Sequence, residues 1–397
     1  MALRDLNTDY AGRKGPMFRL ALKTGILTIL TLGFYRFWMK VRMRRYYWSA
    51  IRPGGIPLEF TGRGSETLTG FLTAVTVLAF YIGVINLVLM YFSFSLFQGN
   101  MPAYFVSAIG VAPMIFFAQY RSRRYILART RWRGIRFGLE PGVKGYIWRA
   151  LLWWLAVIVT GGLLWPAKTS ALEKYRTDRT WFGDQRFEQT GGMRGMFHAM
   201  RHVYLGVALM AVFGTLAYGL DEPVWVIGAI MGGVWTVLGL AYWRAMSFGY
   251  LTEGKKLGEA GFQCRPRPIS VIGIYLGGGL LISLILTGLF IVIGLGFGIL
   301  IGIVSVIDVN ELFDDLGMLA DLPIWVLTLF GTVAYFAMFL FWNVLQQVFI
   351  TMPLARHLAE STRLVNTHAL PAIGQRDRDE FAEAEGFADA LPLGDGI

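Results

Sequence analysis

The stretch Val271–Ile307, VIGIYLGGGLLISLILTGLFIVIGLGFGILIGIVSVI, runs 37 residues without an Asp, Glu, Lys, Arg or His. Roughly 20 helical residues cross a hydrocarbon core of about 30 Å. A run this long therefore points to a bilayer, not to a soluble core. It is long for one span, and Gly294-Leu-Gly-Phe-Gly298 offers a place to break it. Five further stretches also lack ionisable residues: Phe71–Phe97, Pro102–Tyr120, Val203–Leu220, Val224–Trp243 and Ile324–Ile350. Each is long enough to span as a helix.

Composition agrees. Only 16% of the 397 residues are charged and 55% are hydrophobic, whereas a soluble domain carries roughly 25% charged residues. A soluble single domain and a disordered chain are both excluded. The one cysteine, Cys264, rules out an intramolecular disulfide and a cysteine-built zinc or iron–sulfur site. Four histidines are too few for a multi-histidine metal centre. No cofactor and no metal are expected.

Two more apolar segments are irregular. Thr24–Tyr35 holds 12 residues between Lys23 and Arg36, roughly 18 Å as a helix, which is too short to cross. Ala150–Ala167 is interrupted by Gly161, Gly162 and Pro166. Gly33, Gly161, Gly162 and Pro166 are read as structural breaks. No secretory signal peptide is evident, because no small-residue cleavage site follows the first apolar run.

Charge orders the spans. Lys and Arg number six in Met39–Gly70, eight in Arg121–Tyr146, seven in Lys168–His202, five in Arg244–Ser270 and four after Ile350. Gln98–Met101, Asp221–Pro223 and Asp308–Pro323 contain none. The positive-inside rule places the basic connections in the cytoplasm. The expected fold class is therefore an all-α polytopic integral membrane protein with both termini cytoplasmic. Three transmembrane hairpins account for six spans, and the two irregular segments are re-entrant or interfacial helices.

The basic connections resemble one another, which gives the expected repeated cytoplasmic cassettes. Arg42-Met-Arg44-Arg45-Tyr46 with Gly55-Ile56 matches Arg121-Ser-Arg123-Arg124-Tyr125 with Gly134-Ile135 at an offset of 79. Thr31, Gly33, Tyr46, Glu59, Thr61 and Gly62 recur at an offset of 129. Fixed offsets imply a repeated structural unit. The expected divisions are an N-terminus at 1–17, a first repeat at 18–146, a second at 147–270, a third hairpin at 271–370 and an acidic flexible tail at 371–397. Leu58–Thr61 and Ile135–Phe137 alternate in character and suggest small hairpins.

The segment from Thr31-Leu-Gly33-Phe-Tyr35-Arg-Phe-Trp38 through Met39-Lys40-Val-Arg42-Met-Arg44-Arg45-Tyr46, with the later Gly55 and Phe60-Thr-Gly62, resembles the signature of the YjgN-like bacterial inner-membrane proteins. The second cassette departs from it, with Ala167 in the place of Trp38 and Glu173 in the place of Arg44. The resemblance implies a bacterial inner-membrane location and a polytopic fold. It implies no activity and no catalytic residues.

Candidate sites follow from chemistry. Arg42, Arg44, Arg45 and Tyr46, and Arg121, Arg123, Arg124 and Tyr125, join guanidinium groups to aromatic rings just inside a membrane. That pairing suits anionic lipid headgroups, and the expected partner is membrane lipid. Nucleic acid is not expected, since the charge is spread over juxtamembrane loops. His198 and His202 share a helical face but lack a third ligand nearby in sequence. Cys264 stands beside Arg265 and Arg267, which would lower its pKa. No G-x-S-x-G elbow, Walker loop or Rossmann fingerprint occurs, so the chain is read as no enzyme. The alternative to lipid binding is a transporter or channel built around the two broken segments.

Overall fold

The computed structural model describes residues 5–80, 83–84, 86–97, 100–220, 222–305 and 324–376. The chain divides into two compact units, one of Met1–Gly12, Lys40–Ile272 and Ala355–Ile397, the other of Arg13–Met39 and Gly273–Leu354.

The first unit holds a ten-stranded sheet, which overturns the all-α fold of three hairpins. Its strands are β1 (Leu6–Tyr10), β2 (Ile51–Pro53), β3 (Leu58–Phe60), β4 (Thr130–Trp132), β5 (Ile135–Leu139), β6 (Thr180–Phe182), β7 (Gln185–Gln189), β8 (Lys255–Leu257), β9 (Ala260–Cys264) and β10 (Thr362–Val365). Neighbours pair antiparallel in the order β2-β1-β10-β9-β8-β7-β6-β5-β4-β3. The two edge strands, β2 and β3, follow one another in the chain and touch without pairing. The sheet is thus a nearly closed barrel. Each of the five basic connections contributes strands to it.

Strand alternation explains the arrangement. Trp132, Phe182, Phe187, Leu257 and Leu364 turn into the barrel core. Their neighbours Arg131, Arg186, Lys256 and Arg363 do not belong to that core. The chain then plugs its own barrel. A 3₁₀ turn, Thr367–Ala372, brings Leu370 and Ile373 into the same cluster. The segment beyond it is pinned by Asp184 N–H to Gly374 O at 3.0 Å and Arg136 N–H to Gln375 Oε1 at 2.8 Å. Arg376 Nε donates to Gly183 O at 2.8 Å. The acidic stretch from Asp377 lies outside the described residues.

The helices leave and return to this sheet. They are α1 (Lys14–Leu30), α2 (Arg36–Ala50), α3 (Gly64–Phe80), α4 (Asn86–Phe97), α5 (Asn100–Ala128), α6 (Val143–Val159), α7 (Trp165–Thr177), α8 (Arg194–Leu220) and α9 (Val224–Glu253). After them come α10 (Pro268–Ser305), α11 (Ile324–Gln346), a π turn at Gln347–Thr351, and α12 (Met352–Glu360). Among the described residues four stretches are long and apolar enough to cross a membrane: Arg194–Leu220, Val224–Glu253, Pro268–Ile299 and Thr328–Glu360. The expectation of six spans is corrected accordingly. Phe71–Phe97 is divided between α3 and α4. Gly294–Gly298 does not break α10.

The hairpin of α8 and α9 closes on small residues. A Cβ on Gly232 would stand 2.5 Å from the Met210 nitrogen, and one on Gly206 would stand 2.6 Å from the Thr236 nitrogen. Glycine lets the two backbones approach to packing distance. In the second unit α1 packs on α11, with Gly25 against Leu340.

Candidate functional site

Two helix hairpins, α1–α2 and α6–α7, turn through the same backbone geometry. Thr31 N–H donates to Leu27 O, Leu32 to Ile29, Gly33 to Thr28 and Phe34 to Thr31. In the second hairpin Thr160 donates to Ala156, Gly161 to Ile158, Gly162 to Val157 and Leu163 to Thr160. Each threonine hydroxyl also donates back to the carbonyl four residues earlier, at 2.7 Å in both turns. The left-handed pair is Leu32 and Gly33 (φ 50° and 93°) in one turn, Gly161 and Gly162 (59° and 92°) in the other. Glycine adopts that region without the Cβ clash. Leu32 adopts it against its preference. Pro166 sits in the first turn of α7, where its missing N–H leaves no helical bond unmade.

The turns present apolar side chains outward. Leu32 is 90% exposed and Val159 77% exposed, with Leu30, Phe34, Ile158 and Leu163 also exposed.

The returning helix α7 carries two buried charges. Lys168 is only 6% exposed. Its ammonium lies 3.8 Å from the Trp154 ring centre and 3.5 Å from that of Trp165. Burial pushes its pKa down to about 8. Ring faces attract the cation without neutralising it. One turn further on, Glu173 is also buried. Arg123 grips it through both terminal nitrogens at 3.1 Å, Arg176 lies at 2.9 Å and Lys255 at 2.9 Å. Burial alone would raise the carboxyl pKa. Arg123, Lys255 and Arg176 outweigh it and hold the group well below the usual range. Neither residue stood out in the sequence. Lys168 carried a faint signal in its Trp165 neighbour, while Glu173 was visible only as a departure from the first cassette.

The cassette residues are spread over several environments. Arg42 is exposed on α2. Arg44 lies over the rings of Trp48 and Phe60, at 5.9 and 5.2 Å. Arg45 donates to Gly62 O at 2.7 Å. Tyr46 meets Tyr47 edge-on at 6.1 Å. On α5, Arg121 lies 5.4 Å from the Phe117 ring centre, Arg123 is held by Glu173, and Arg124 is half-buried. Tyr125 is buried and donates to Glu66 at 3.1 Å, a carboxylate it shares with Arg129.

The imidazoles of His198 and His202 converge on a cation. Arg201 Nη1 lies 3.0 Å from His198 Nε2, and Arg201 Nε donates to His202 Nε2 at 3.2 Å. Among the described residues no group of three His, Cys, Asp or Glu converges on a point that would hold a metal. Cys264 faces the opposite way from its arginine neighbours, because it ends a strand with its side chain inward. Burial pushes its thiol pKa up, against the lowering inferred from Arg265 and Arg267.

No solved structure matches the chain. "Inner membrane protein YjgN" of Salmonella typhimurium is 25% identical over 140 residues, an alignment spanning 35% of this chain and 32% of that protein. The chain therefore covers about a third of that relative's length. The family model described as "Bacterial protein of unknown function (DUF898)" matches residues 5–390. That match runs through every strand of the barrel and every helix hairpin, and with the YjgN likeness it shows that the chain belongs to this YjgN-like family.

Proposed function

We propose that this chain is a polytopic protein of the bacterial inner membrane that acts as a scaffold holding anionic lipid at its cytoplasmic face. The observation that carries the reading is the pair of hairpin turns with exposed Leu30, Leu32 and Phe34, and with exposed Ile158, Val159 and Leu163. Exposed apolar area in water costs roughly 25 cal/mol per Å² relative to burial, so these tips gain by entering a bilayer. The returning helix α2 then brings cations and an aromatic ring to headgroup depth, Arg42, Arg44 and Arg45 with Tyr46.

Topology supports the same reading. Segments of one sheet share one side of the membrane. Every excursion from the barrel therefore crosses an even number of times, or not at all. Thirty Lys and Arg residues fall in the sheet-bearing connections and none in the three acidic or short ones. The positive-inside rule makes the sheet side cytoplasmic, with both termini there. Side chains and the 3₁₀ turn pack into one apolar cluster in the barrel.

The test uses the full chain in phosphatidylglycerol-containing vesicles. A fluorophore on L32C or L163C should be quenched by nitroxides on the lipid acyl chains. Quenching only by aqueous iodide would defeat the reading. Phosphatidylglycerol co-purifying with the protein should fall in R42Q/R45Q, and an unchanged lipid complement would leave these arginines as topology markers alone.

A further inference from the structure

A cleft of about 590 Å³ opens on the outer side of the barrel where β9, β10, the start of α10 and the end of α12 meet. Alternation builds its floor. Gln263 and Arg363 are direct cross-strand partners, while the partners Cys264 and Thr362 join through Sγ and Oγ1 at 3.3 Å on the other face. Arg265 follows Cys264 and is exposed again, its N–H held by Ser361 O at 3.2 Å. Arg267 is fixed by a second backbone bond, its N–H donating to His357 Nε2 at 3.0 Å. Three guanidinium groups thus line one cleft on a rigid backbone. Several other arginine side chains are used internally: Arg123, Arg129, Arg356 and Arg376 all bind carbonyls or carboxylates. Among the described residues the guanidiniums of Arg265, Arg267 and Arg363 have no such bond. The cleft holds one carboxylate, Glu360, and Arg356 lies 3.9 Å from it.

We propose that this cleft binds a phosphate-bearing anion through Arg265, Arg267 and Arg363. Guanidinium forks match two phosphate oxygens at once. Ser270, in the first turn of α10, adds a hydroxyl next to backbone N–H groups at the positive end of a 38-residue helix. The place of the cleft favours a lipid phosphate over a soluble one. A candidate span begins at Pro268, and Ile269, beside the cleft, is 84% exposed. An acyl chain would follow that helix once its phosphate was held. This site shares no residue with the hairpin turns and stands or falls separately from them.

The test uses intact protein in detergent and native mass spectrometry, titrating phosphatidylglycerol in one arm and inorganic phosphate in the other. R265Q/R267Q/R363Q should weaken phosphatidylglycerol binding at least tenfold. R63Q/R194Q/K256Q, which removes as many exposed charges elsewhere, should change it less than twofold. The lysine triple R265K/R267K/R363K should fall between, since charge remains and the fork is lost. The single variant R363Q, confined to the outer face of β10, serves if the triple does not fold and should weaken binding severalfold. Phosphate binding lost in the glutamine variants, with no lipid dependence, would assign the cleft to a soluble phosphate ester. Equal binding of both probes by parent, triple and single variants would overturn the proposal.

Discussion

Arg123 on α5 holds Glu173 on α7 in a two-pronged ion pair, each prong 3.1 Å long and bridging 50 residues of sequence. Two further cations complete the cluster, Arg176 from the next turn and Lys255 from β8. A helix from one hairpin, a helix from the next and a barrel strand are thereby tied at one carboxylate. The pair also separates Arg123 from the lipid role suggested by its position beside Tyr125.

Glu173→Gln should destabilise the protein by about 3 kcal/mol, because it leaves three half-buried cations without their carboxylate. Arg123→Gln should cost a similar amount, while Arg42→Gln on the exposed face should cost no more than about 0.5 kcal/mol. Denaturant melts in detergent would measure all three. The folded pKa of Glu173 is depressed, so its contribution is present above the unfolded value of about 4.3 and is lost as pH falls through the folded one. The parent should therefore lose stability on acidification below that value, and the glutamine variant should show a flatter profile there.

Lys168 has the opposite sense. Its pKa falls to about 8 in the folded chain, against about 10.4 unfolded. The unfolded state binds more protons between those values, so stability should rise with pH across that window. Lys168→Met should remove the slope and raise stability at neutral pH by on the order of 1 kcal/mol, offset by the lost ring contacts. Thermal melts at pH 7 and pH 9.5 would decide it.

The two hairpin turns invite a reciprocal exchange. Leu32→Gly should stabilise its turn, since a left-handed leucine costs roughly 1–2 kcal/mol. Gly162→Ala should destabilise the other by a similar amount. If both substitutions shift the melting temperature in the same direction, the shared left-handed geometry is not what governs the turns.

Cys264 is buried, and its thiol is pushed up in pKa. Maleimide labelling in detergent should be slow at pH 7.5 and become rapid only in denaturant. Rapid labelling of the folded protein would restore the lowered thiol pKa expected from Arg265 and Arg267.

Reporter fusions after Met39 and after Gly254 should both read cytoplasmic, because the strands that follow, β2 and β8, belong to one sheet. A fusion after Asp221, in a connection without basic residues, should read external.

Membrane residence and the segregation of charge were legible from the amino-acid order alone, because both are additive. A run such as Val271–Ile307 needs no partner to be apolar, and a loop needs none to be basic. The chain breaks at Gly33 and Gly162 were visible for the same local reason. The barrel was not. Its strands are only three to five residues long; alternation hinted at hairpins at Leu58–Thr61 and Ile135–Phe137, but the local pairs β4–β5, β6–β7 and β8–β9 join into one sheet only by bonding to other connections far away in sequence. Arg363 finds Gln263, and Leu6 finds Leu364. Lys168 and Glu173 show the same division. Whether a lysine beside a tryptophan, or a glutamate among arginines, is solvated or buried depends on which helices close over it. That cost is set by tertiary packing, because burial changes the dielectric around a charge and local sequence does not.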